Sequence, residues 1–138
     1  MKNRTMKKDI QIPEVSNVYM AVVQEYNEDF KCNDWHAYLI NNKEVELDMV
    51  LIVSKGFDET KGIETSLMRH KIEKLPAKSF AKVELLQEDV IKLSNQFNVT
   101  FFENSQMFEK KYLFNKGVIK ESALRILPLI NKKGILVK

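Results

Sequence analysis

The chain has 138 residues, of which 44% are hydrophobic and 30% charged, a size and balance that fit one soluble globular domain with its own core. A single cysteine excludes an internal disulfide, and no apolar run in the sequence reaches the ~18 residues that a membrane-crossing helix requires. The formal charge of +3 resides in Lys2, Arg4, Lys7 and Lys8, because residues 9–138 carry 18 basic against 19 acidic groups.

Residues 1–12 lack periodicity and are dense in Lys and Asn, which predicts a flexible basic leader ahead of a single β-rich domain over 13–138. Asp9, Gln11 and Pro13 follow the basic residues where a secretory signal would turn apolar, so a cytoplasmic protein is expected. NVYMAVVQEY, DWHAYLI and VELDMVLIV are rich in β-branched and aromatic residues and read as strands. GFDETKG is a polar turn, IETSLMRHKI alternates again, and Pro76 separates it from the strand FAKVELL. QEDVIKLSNQ reads as one helical turn or a loop. VTFFE and MFEKKYLF, joined by NSQ, form a hairpin. VIKESALRIL spaces Ile119, Ala123 and Ile126 or Leu127 as a helix does, with Pro128 keeping it short, and ILV returns as an edge strand.

These elements predict a mainly β (α+β) fold. It would be a strongly bent antiparallel sheet or partial barrel of about six or seven strands with one or two short helices, the clearest near the C-terminus. The near-continuous apolar stretches MAVV and MVLIV imply strands covered on both faces.

Between DWHAYLI and VELDMVLIV, a three-residue hairpin loop centred on Asn42 would put Trp35, Ala37 and Leu39 on one face with Val45, Leu47, Met49 and Leu51. His36 then lies on the other face opposite Asp48 and near Glu46. That candidate polar cluster could hold a general base, although an exposed cross-strand pair accounts for it more simply. Cys32 has acidic neighbours in Glu28, Asp29 and Asp34, which disfavour a thiolate, and His70 stands alone in SLMRHK. No metal-ligand spacing, glycine-rich phosphate loop or nucleophile elbow is present, so no metal, cofactor or catalytic residue is expected. Phe108, Lys110, Tyr112 and Phe114 alternate on one face. With Lys111 and the basic C-terminal third they form a candidate nucleic-acid face around Lys110, Lys111 and Tyr112, against the plainer reading that the aromatics are core.

The segments DWHAYLINN, ELDMVLIVSKGF, TSLMRHKIEKLP, AKVELL, VTFF and RILPLINKKGILVK make residues 10–138 resemble a short family of uncharacterised bacterial proteins. Some of its members are labelled phenylalanyl-tRNA synthetase subunits. That resemblance brings no catalytic residues, and a class II synthetase domain needs a longer chain and ATP-binding arginine motifs that this sequence lacks. The expectation is a non-enzymatic protein-interaction or self-associating module, with a homo-oligomer or a protein partner and no membrane. The alternatives are an RNA-binding module associated with translation, and a small ligand-binding or enzymatic barrel using His36 and Asp48.

Overall fold

Alternating apolar and polar residues generate the first hairpin, from β1 (Val18–Asn27) to β2 (Cys32–Asn41), in the computed structural model, which describes residues 13–138. Its ladder runs unbroken from Val18↔Asn41 to Asn27↔Cys32. Asn27 shapes the turn, because its Oδ1 accepts the backbone N–H groups of Asp29 and Phe30. The next strand, β3 (Leu47–Asp58), begins the second sheet, which it shares with β4 (Ile63–Glu64) and β5 (Met68–Leu75). Beyond Pro76 the chain returns to the first sheet as β6 (Ser79–Leu86), then makes the single helical turn α1 (Glu88–Ile91). The hairpin β7 (Ser94–Glu103) and β8 (Gln106–Phe114) completes the second sheet, while β9 (Arg125–Ile126) and β10 (Lys133–Val137) complete the first.

The strand orders are β6-β2-β1-β10-β9 in the first sheet and β4-β3-β7-β8 in the second, with β5 also paired to β3. All pairings are antiparallel, and neither sheet closes. The core lies between the sheets. Val18, Met20, Val22, Ala37 and Leu39 descend from the first, and they meet Val50, Ile52, Phe97, Val99 and Phe101 from the second. Burying each large side chain contributes roughly 1.5–3 kcal/mol. Phe101 stacks on Phe108 at 5.2 Å between centroids, and Phe97 meets Phe114 edge-on at 5.8 Å. The buried Tyr112 hydroxyl donates to the Val18 carbonyl at 2.6 Å, joining the two sheets through one polar contact inside the core.

The expected single bent sheet or partial barrel is therefore replaced by two open sheets packed face to face. β2 and β3 do not pair, since both edges of β2 are taken by β1 and β6. Asn41 explains the crossover. Fully buried, it donates through Nδ2 to the carbonyls of Val45, Leu75 and Pro76, which ties the connection to the β5–β6 turn. Of the apolar face expected to join Trp35, Ala37 and Leu39 to Val45, Leu47, Met49 and Leu51, the residues Ala37, Leu39 and Leu47 do share the core. Met49 and Leu51, however, lie exposed on the outer side, and Val50 and Ile52 pack inward in their place, by sheet-on-sheet packing rather than through a hairpin ladder.

The expected C-terminal helix is also absent. Residues 121–123 make one 3-10 turn, and Arg125–Ile126 pairs with Lys133–Gly134. A ten-residue helix ended by Pro128 is marginal alone, and an extended course lets Ile119 enter the main core while Leu127 enters a second cluster. The ambiguous stretch near residue 88 is the short helix. The predicted leader lies outside the described residues.

That second cluster separates the two outer faces. On the first sheet, Ala21, Val23, Tyr38 and Ile40 are covered by Leu127 and Ile130, so MAVV is buried on both sides as expected, by a loop. On the second sheet no described residue covers the outward residues of MVLIV: Met49 is 54% and Leu51 43% exposed.

Candidate functional site

Three polar clusters are organised by this framework. The first sits where the core ends, at the far end of β3. Inward positions Val50 and Ile52 are apolar, yet the next inward residue is Ser54, followed by Gly56 and Asp58. Opposite, β6 carries an irregularity between its pairs Ala37↔Glu84 and Tyr38↔Lys82, so Val83 is an extra residue beside Glu84. Such bulges re-aim neighbouring side chains. Ser54 Oγ donates to Glu84 Oε1 at 2.6 Å, and His70 Nε2, from β5, lies 2.8 Å from the same oxygen. The three groups line or flank a cleft of about 440 Å³ between the sheets, with apolar walls from Met68, Leu85 and Val90. Serine and histidine both address the carboxylate and not each other, so this is no nucleophile relay; it presents a carboxylate.

The second cluster lies on the outer face of the first sheet. Glu25 receives the Tyr38 hydroxyl at 2.9 Å, has Lys82 Nζ at 3.4 Å, and pairs with Lys132. Burial pushes its carboxyl up, but the hydrogen bonds from Lys132 and Tyr38 and both lysine charges outweigh this and hold it below its ordinary value. Burial and the same hydrogen bond drive the Tyr38 hydroxyl far above its ordinary value. His36 Nδ1 is 3.1 Å from Glu25 Oε1 but off the angle of a hydrogen bond, leaving that buried nitrogen without a hydrogen-bond partner among the described residues. Burial, then Lys82, keeps His36 below the usual imidazole range despite Glu25 and Asp34. The cluster fastens the C-terminal segment through Lys132.

In the third, Asp58 accepts the Thr60 hydroxyl and the backbone N–H groups of Thr60 and Lys61, with Lys116 Nζ at 2.6 Å. The hydrogen bonds from Lys116 and then Thr60 hold its carboxyl far below the usual range, against a smaller opposing effect of burial. It anchors the β3–β4 turn to the end of β8.

The predicted cluster of His36, Asp48 and Glu46 is divided. His36 belongs to the Glu25 group, while Asp48 and Glu46 both face Lys74, at 3.0 and 3.4 Å. Asp48, followed by Glu46, raises the Lys74 ammonium above its ordinary value. Cys32 is exposed, its Sγ 3.8 Å from Asp34 Oδ1. Of the candidate nucleic-acid face, Tyr112 is fully buried beneath Lys110, whose Nζ is 5.2 Å from the ring centroid, and Lys111 points to the opposite side. The ring has no free surface for a base. Among the described residues no group of His, Cys, Asp or Glu is arranged to hold a metal ion, and no helix is long and apolar enough to cross a membrane.

Sequence reasoning reached His70 but missed Ser54, Glu84 and Asn95. The signal was available for two of them: Ser54 and Asn95 are polar residues standing in the inward phase of otherwise apolar strands.

The outer face of the second sheet completes the inventory. Register sets Lys71, Leu51, Thr100 and Glu109 in one cross-strand row and Arg69, Val53, Asn98 and Lys111 in the next. Half-buried Phe102 and 45% exposed Met107 pair beyond the first row. Compared with known protein families, curated proteins and solved structures, the chain matches none.

Proposed function

We infer that the protein is a protein-interaction module that docks a partner on the outer face of its second sheet. The observation that carries this reading is the contrast between its two outer faces. On the first, Leu127 and Ile130 roof the central strands and leave Phe80 exposed only on the edge strand β6, whereas on the second Met49 and Leu51 of the central strand β3, with Met107, are open to solvent. Contiguous uncovered apolar surface on a small domain is characteristic of interaction sites. A left-handed backbone at Met49, with φ of 50°, accompanies the slip in register between β3 and β7, at some conformational cost for a long side chain.

Charge selects the occupant. Arg69, Lys71 and Lys111 flank the apolar residues, none of them in an ion pair among the described residues, and Glu109 is the acidic member of the same two rows. A second copy face to face would set the basic row against another such row, so a protein surface that is acidic and apolar fits better. Strand addition at the sheet edge is less favoured, because β8 and β5 expose Lys111, Arg69 and Lys71, the charges that discourage edge pairing.

Affinity capture with the full chain tests this at low and high salt, using Lys71→Glu/Lys111→Glu and Leu51→Glu beside a loop control, Lys78→Glu. Support requires a captured species that salt releases, that both face variants lose, and that Lys78→Glu retains. A capture pattern indifferent to the face variants refutes the assignment. Light scattering at high concentration separates the second-copy outcome, in which wild type dimerises and Leu51→Glu does not.

A further inference from the structure

We propose that the cleft between the two sheets is a binding site for a small cationic amine with an apolar body, and that Glu84 is its counter-charge. The cleft is on the inward side of β3, so it is separate from the docking face and does not depend on it. Its volume of about 440 Å³ is in the range of small-molecule sites, which run from roughly 300 to 1,000 Å³. Met68, Leu85 and Val90 provide apolar walls, while Ser54, Glu84 and Asn95 provide the polar ones.

The polar groups define the ligand. Glu84 is only 11% exposed at its side chain, so its carboxylate has lost most of its water. Oε1 is occupied by Ser54 and His70, but Oε2 has no hydrogen-bond partner among the described residues. Lys55, the lysine of the lining, is 3.7 Å from Glu64 and makes no ion pair with Glu84. Asn95 is 98% removed from solvent, with 2% of its surface exposed; its Nδ2 donates to the carbonyls of Val90 and Leu93, and Oδ1 accepts from no described group. The wall therefore offers two open acceptors, one of them charged. A ligand carboxylate or phosphate would face Glu84 directly, whereas an ammonium group supplies donors to the open acceptors and a permanent positive charge at neutral pH, beside His70, which pairs with Oε1 as a cation only when protonated. The apolar walls then take the hydrocarbon part of the same molecule.

The experiment is a titration of the full-length 15N-labelled protein, followed by amide NMR at neutral pH, with phenethylammonium chloride. Its neutral and anionic counterparts, 2-phenylethanol and phenylacetate, serve as controls. The expected result is saturable shifts confined to amides around Ser54, Gly56, Glu84 and Gln87 for the amine, with affinity for the two controls weaker by about tenfold or more. Glu84→Gln should weaken the amine by a similar factor and abolish its advantage over the alcohol. Should Glu84→Gln lose its dispersed spectrum, Met68→Ala keeps the question open to test, since Met68 is half-exposed at the mouth and its truncation should weaken the amine several-fold in a folded protein. Equal binding of amine and alcohol to wild type, shifts spread over the surface or failing to saturate, or undiminished amine binding by folded Glu84→Gln would each overturn the proposal.

Discussion

Replacing Tyr112 by phenylalanine isolates one hydroxyl in the middle of the protein. The ring is fully buried and its oxygen donates at 2.6 Å to the Val18 carbonyl. β10 pairs with β1 only as far as Met20, so two residues earlier the Val18 carbonyl lies past the last of those pairs. The substitution removes a hydrogen bond worth about 0.5–1.5 kcal/mol net and strands a buried acceptor, which costs a further ~1–3 kcal/mol. The ring volume is unchanged, so no cavity opens, and a total of about 1.5–4.5 kcal/mol is expected. With a urea m-value of roughly 1–3 kcal/mol/M, the unfolding midpoint should fall by about 1 M with the slope preserved. Tyr112→Ala should lose roughly 3–5 kcal/mol by opening a cavity of aromatic size. If Tyr112→Phe unfolds within ~0.3 kcal/mol of wild type, the hydroxyl is solvated and the cross-sheet contact is not formed. The same pair of variants bears on nucleic acid: a Tyr112→Ala protein that melts like wild type but loses RNA in a filter-binding assay would mean that the ring is a stacking platform after all.

Further expectations follow from the same contacts. His36 is held below its ordinary value of 6.5, so the unfolded chain takes up the proton more readily than the native one. Its stabilising contribution is complete above pH 6.5 and is lost as pH falls through the lower native value; thermal melts from pH 8 to 5 should show this decline, and His36→Gln should flatten it. Gly134→Ala would place a Cβ 2.6 Å from the Val22 carbonyl oxygen and 2.8 Å from Leu127 Cδ1. A loss of about 1–3 kcal/mol is expected, together with faster amide exchange across 127–130; wild-type exchange there would disprove the close packing. Asn104 and Ser105 form the two-residue β7–β8 turn with φ of 50° and 66°, values that favour Asn-Gly, so Ser105→Gly should raise stability by about 0.5–1 kcal/mol in urea.

Strand identity was legible because β-branched and aromatic residues with period-two alternation leave few alternatives; β1, the middle of β2 and the turn end of the β7–β8 hairpin emerged from that pattern, whereas Ser94, Asn95 and Gln96 at the start of β7 read as a helical turn or loop. What the pattern shows is which face of a strand is apolar, not what lies across from it. For β2 and β3, an apolar face is satisfied equally by ladder pairing and by packing one sheet on another, and the deciding contacts of Asn41 reach residues 34 and 35 positions away. Residues 119–127 failed for a related reason. Ile119, Ala123 and Leu127 recur at helical spacing, yet Ile119 and Leu127 serve two clusters on different sides of the first sheet, a division that no single helix face could supply.

The candidate cleft was hidden by the same non-locality, since Ser54 and Glu84 meet from strands in different sheets. Each nevertheless left a trace in its own strand. The inward series of β3 runs Val50, Ile52, Ser54, Gly56, Asp58, and that of β7 begins at Asn95 before Phe97, Val99 and Phe101. The two strands are antiparallel, with Gly56 paired to Asn95 and Ser54 to Phe97, so the polar end of one coincides with the polar start of the other. Polar groups in an inward phase are costly unless partners or solvent reach them. The place where both series lose their apolar character is therefore where the core must stop and a space between the sheets must open. Had the pairing of β3 with β7 been known, that end of the sandwich could have been named as the site from the alternation alone. His70 would have joined it through its pairing with Ile52, next to Ser54, as an inward residue rather than a stray one.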